Sequence, residues 1–72
     1  MASLIHYTIR KATIATWQRQ VTVIDAFYMF RDLIPNVSNE TVTDILDVLE
    51  SVAAHKYTIE DAVEEIIDLI GG

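Results

Sequence analysis

No cysteine occurs among the 72 residues, and there is a single proline, two glycines, one tryptophan and only five basic residues. Each scarcity excludes something. Without cysteine there can be no disulfide staple, no thiolate zinc site and no cysteine nucleophile, which fits a reducing compartment. So little glycine and proline argues against a loop-rich scaffold and against a disordered tail, and a hydrophobic fraction of 51% supports folding. No uncharged run approaches the ~18 apolar residues that a membrane span needs. Residues 1–10 lack the basic start and apolar block of a secretory signal, so the expected location is cytoplasmic.

What is present is acid. Eleven Asp and Glu against five Lys and Arg give a net charge of -6. The imbalance is uneven: residues 1–35 sum to +2, with Arg10, Lys11, Arg19 and Arg31 against Asp25 and Asp32, whereas residues 36–72 sum to -8. A chain of this length has room for one small domain, over residues 1–72, and none for a cofactor sheet beside a catalytic layer. Such a domain buries only about 60% of the surface its unfolded chain exposes. Its core therefore needs help, either from unusually close helix packing or from apolar surface buried against a second chain.

Periodicity predicts an all-α fold of three or four short helices ending in an antiparallel helical hairpin. Thr58 is a good N-cap for a last helix with Ile59, Ala62, Val63, Ile66, Ile67 and Ile70 on one face, ended by Gly71-Gly72. Ser38 similarly opens a helix running to about His55, with Val42, Ile45, Leu46, Leu49, Val52 and Ala53 inward. The link His55-Lys56-Tyr57 is short enough to turn the chain straight back. Leu46, Leu49, Val63 and Ile66 are the expected hairpin core. Upstream, Val23, Ala26, Phe27, Phe30, Leu33 and Ile34 make a helix closed by Pro35, and Val21, Ile24, Tyr28 and Met29 leave it apolar nearly all round. Residues 4–17 read as a helix capped by Ser3, with an N-terminal strand as the alternative, because Ile5, Tyr7 and Ile9 alternate with polar residues. No repeat and no low-complexity segment is legible.

The chemistry is sparse. Ser3, Ser38 and Ser51 lack a nucleophile-elbow setting, no glycine-rich phosphate loop occurs, and the carboxylates lie along helices rather than in a calcium loop. His6 and His55 form no ligand pair, and His55 suits the negative end of a helix. Catalytic, cofactor and metal sites are thus all expected to be absent. A helix-turn-helix fails on sign, because the helix after Thr58 presents acids that repel phosphates. Size, acidity and helical pattern are similar to those of acyl carrier proteins. The Asp-Ser-Leu that carries their prosthetic group is missing, however, and Ser38 stands in Val37-Ser38-Asn39, so no function carries over. Asn36-Val37-Ser38 and Asn39-Glu40-Thr41 match the glycosylation pattern but are accounted for by turn and cap chemistry.

Two functions remain. The first is a non-catalytic protein-binding or self-assembling module, a homo-oligomer or the partner of another protein. The second is an acidic inhibitor or nucleic-acid mimic for a basic protein surface. Trp17, Phe27, Tyr28 and Phe30 read as core, and any of them left outside would anchor an interface. The interaction candidates are Tyr28 and Met29, the acids Asp44, Asp47, Glu60, Glu64 and Asp68, and the cations Arg10, Lys11, Arg19 and Arg31, with acids expected to approach cations.

Overall fold

Four helices follow one another in the computed structural model, which describes residues 3–71: α1 Leu4–Trp17, α2 Val23–Arg31, α3 Asn39–Ala53 and α4 Ile59–Gly71. No strand forms among the described residues, and no helix is long and apolar enough to cross a membrane. Every helix start is capped by a hydroxyl. Ser3, Thr22, Ser38 and Thr58 accept hydrogen bonds from the backbone N–H groups of His6, Asp25, Thr41 and Asp61 at 3.1–3.2 Å, each satisfying one of the donors that a helix start leaves free.

The strand alternative for residues 4–17 fails because a strand would place Ile5, Tyr7 and Ile9 on one face, whereas burial follows a helical period. Ile9, Ala12, Thr13 and Thr16 are buried while Tyr7 faces solvent. The buried threonine hydroxyls do not oppose this. Thr13 and Thr16 each donate to the carbonyl four residues back, Ile9 and Ala12, at 2.8 Å, so β-branched polar residues sit in the core with their hydrogen bonds made. Two helices are shorter than their periodicity predicts. α2 stops at Arg31, and Leu33 and Ile34 follow in tight turns whose N–H groups bond to Phe30 and Arg31. α3 stops at Ala53, because His55 takes a left-handed backbone with φ 60°.

Of the four expected hairpin-core residues, Leu49, Val63 and Ile66 are buried, whereas Leu46 is only half covered and Val48 takes the inner place. Val42 and Ala53, also expected inward, are half-buried. Among the aromatics Phe27 and Phe30 are core, edge to face at 5.7 Å, Trp17 is half-buried, and Tyr28 lies outside.

The expectation of no repeat is overturned. Thr22-x-x-Asp25-Ala26-x5-Asp32-Leu33-Ile34 recurs as Thr58-x-x-Asp61-Ala62-x5-Asp68-Leu69-Ile70, displaced by 36 residues in a chain of 72. Burial obeys the same displacement throughout. The buried residues are Ile9 and Ile45, Ala12 and Val48, Thr13 and Leu49, Thr16 and Val52, Ala26 and Ala62, Phe27 and Val63, Phe30 and Ile66, and none is left without its counterpart. The molecule is therefore two copies of one helical hairpin, α1–α2 and α3–α4, sharing a core.

Their relation is reciprocal. α1 packs on α4 as α3 packs on α2, α1 and α3 also touch, and α2 and α4 do not. A stacked solenoid would lack the α1–α4 contact, whereas exchange of halves about an approximate two-fold axis produces it. The helix ends obey the exchange too. α1 and α3 both finish in Schellman turns, Gln20 N–H to Ala15 carbonyl and Lys56 N–H to Ser51 carbonyl, with Arg19 (φ 58°) and His55 (φ 60°) as the left-handed residues. Arg19 donates through Nε and Nη2 to the Ala53 carbonyl at 3.3 Å, and His55 donates through Nε2 to the Trp17 carbonyl at 3.0 Å. Each side chain thus caps the last turn of the other hairpin's first helix, where two negative helix ends meet. The His55 ring also stacks on Trp17, with centroids 4.0 Å apart.

Candidate protein-interaction surface

Because the two hairpins share one burial pattern, each outer position has an equivalent in the same molecule. The comparison separates what the fold requires from what it merely permits. Among the described residues the exposed large apolar side chains are Leu4, Tyr7, Ile24, Tyr28, Met29 and Leu33, all in the first hairpin. Leu4, Ile24, Tyr28 and Met29 correspond to positions 40, 60, 64 and 65, and each of those is glutamate: Glu40, Glu60, Glu64 and Glu65. The second hairpin buries the same core with carboxylates in water. Packing of the core therefore does not explain the apolar character of the first hairpin's outer face.

The centre of that face is α2. Ile24, Tyr28 and Arg31 follow one another at helical spacing on the side away from Ala26, Phe27 and Phe30, and Met29 stands across the exposed Asp25 and Asp32 from them. Tyr28 is 57% exposed, Ile24 55% and Met29 41%. The Arg31 guanidinium lies over the Tyr28 ring, 5.5 Å from its centroid, and Phe27 supports the ring from within at 6.2 Å. α1 repeats the pairing of tyrosine and cation, with Lys11 Nζ 5.4 Å from the Tyr7 centroid. Tyrosine beside a cation offers apolar area that still tolerates water.

Tyr28 and Met29 are thus both exposed. Among the described residues the expected meeting of acids and cations occurs at one place, Arg10 with Glu60, which ties α1 to α4 at the surface. Under the internal exchange the same positions are Leu46 and Ile24, so an ion pair in one half corresponds to an apolar pair of residues in the other. The other three candidate cations are engaged elsewhere: Lys11 over Tyr7, Arg31 over Tyr28 and Arg19 on the Ala53 carbonyl. Asp44, Asp47, Glu64 and Asp68 are exposed and not brought to a cation among the described residues. Asp61, Glu64, Glu65 and Asp68, with Tyr57, line a shallow concavity of about 330 Å³ on α4.

Ser3, Ile5, His6, Pro35, Ile67 and Ile70 line an apolar groove of about 400 Å³ between the start of α1 and the end of α4. Its exchange-related counterpart, between α2 and α3, is lined in part by the linker residues Pro35, Asn36 and Val37. Among the described residues no group of three or more His, Asp or Glu could hold a metal ion.

Sequence reasoning missed Leu4 and Tyr7 as surface residues. Their signal was the spacing, since both fall off the stripe of Ile9, Ala12 and Thr16 that α1 buries. No family model matches this chain, and neither a curated protein nor a solved structure matches it.

Proposed function

We propose that the chain is a non-catalytic module that binds protein through the outer face of its first hairpin, centred on Ile24, Tyr28 and Met29. One observation carries this reading: apolar residues occupy exposed positions whose equivalents in the same molecule are Glu60, Glu64 and Glu65. Covering apolar surface contributes roughly 25 cal/mol per Å² removed from water, and a tyrosine ringed by aliphatic neighbours is the usual anchor of an interface. Photo-crosslinking in the producing cell tests it with an internal control. A crosslinking residue at position 28 is expected to trap a protein adduct, while the same residue at the equivalent position 64 traps none.

A second reading is the acidic inhibitor or nucleic-acid mimic, in which the second hairpin meets a basic protein surface. It is supported by the clustering of Asp61, Glu64, Glu65 and Asp68 around one concavity and by the charge of -8 over residues 36–72. The same experiment separates the two. Adducts at position 64 and none at position 28 favour the acidic surface and contradict the first reading.

A further inference from the structure

We draw no further inference here: the strongest candidate, the apolar groove between the start of α1 and the end of α4, is bounded by Ser3 and Gly71, the two ends of the described chain, and nothing in the structure shows what covers it.

Discussion

His55 and Arg19 occupy a backbone conformation that normally falls to glycine, because a left-handed residue with a Cβ costs about 1–2 kcal/mol. The structure gives the reason for tolerating that cost: each side chain reaches across to cap the other hairpin's first helix. Substitution separates the two effects. His55→Ala and His55→Gly both lose the hydrogen bond and the stacking on Trp17, but only alanine keeps the backbone penalty. His55→Gly is therefore expected to be more stable than His55→Ala by about 1 kcal/mol, measured by chemical denaturation, and the reverse order would remove the strain from the account. The core residues are graded by the repeat as well. Leu49→Ala should cost roughly 2–5 kcal/mol, most of the stability of a domain this small. Thr16→Val should cost almost nothing. Valine already fills the equivalent position 52, and the Ala12 carbonyl retains the helical N–H that reaches it from four residues on.

At the scale of the helices, the starts at Ser3, Ser38 and Thr58 and the ends at Trp17 and Gly71 were legible, whereas the Thr22 cap and the ends of α2 and α3 were not. A cap is one local side-chain contact that a sequence displays directly. The ends of α2 and α3 depend on partners. α3 stops at Ala53 because His55 is held across the hairpins, and no pattern within residues 38–55 announces Trp17 as its acceptor. On the inner face of α3, Val42 and Ala53 are only half-buried, and Leu46 was read for Val48. Both fall near the apolar stripe, and the choice is made by where α1 and α4 press upon it. The shared caps yield a symmetric prediction: Thr22→Ala and Thr58→Ala should each lower stability by about 1 kcal/mol, and by similar amounts, since each opens the second helix of a hairpin. Thermal unfolding compares them in one experiment. A large loss in one with none in the other would show that the two hairpins are not energetically equivalent.

At the scale of the molecule, the helical class could be read from periodicity and the two-fold relation could not. The repeat is plain where α2 and α4 share the Thr-x-x-Asp-Ala motif and the Asp-Leu-Ile ending, but α1 and α3 have little identity beyond Ile9 and Ile45. What they share is which positions are buried, and Thr13 against Leu49 or Thr16 against Val52 conceals that until burial is known. The opposite surfaces were legible as a charge split of +2 and -8. Their meaning came from the exchange that superposes one face on the other. Electrostatics between the halves is minor in comparison. Arg10 and Glu60 are both substantially exposed, and such a pair contributes about 0–1 kcal/mol, so Glu60→Gln should move the unfolding midpoint little and raised salt should do the same.

The central claim is that both hairpins carry the same core while the outer apolar face of the first serves recognition rather than folding. The measurement that tests it most directly is the unfolding free energy of the triple variant Leu4→Gln, Tyr28→Gln, Met29→Gln, taken beside the parent at a dilution where both are monomeric. Glutamine has the length of the glutamates at the equivalent positions and adds no like charge beside Asp25 and Asp32. The account predicts a stability within about 1 kcal/mol of the parent, as expected for surface substitutions. A loss of several kcal/mol, of the size produced by Leu49→Ala, would show that these side chains hold the fold together and would contradict the account.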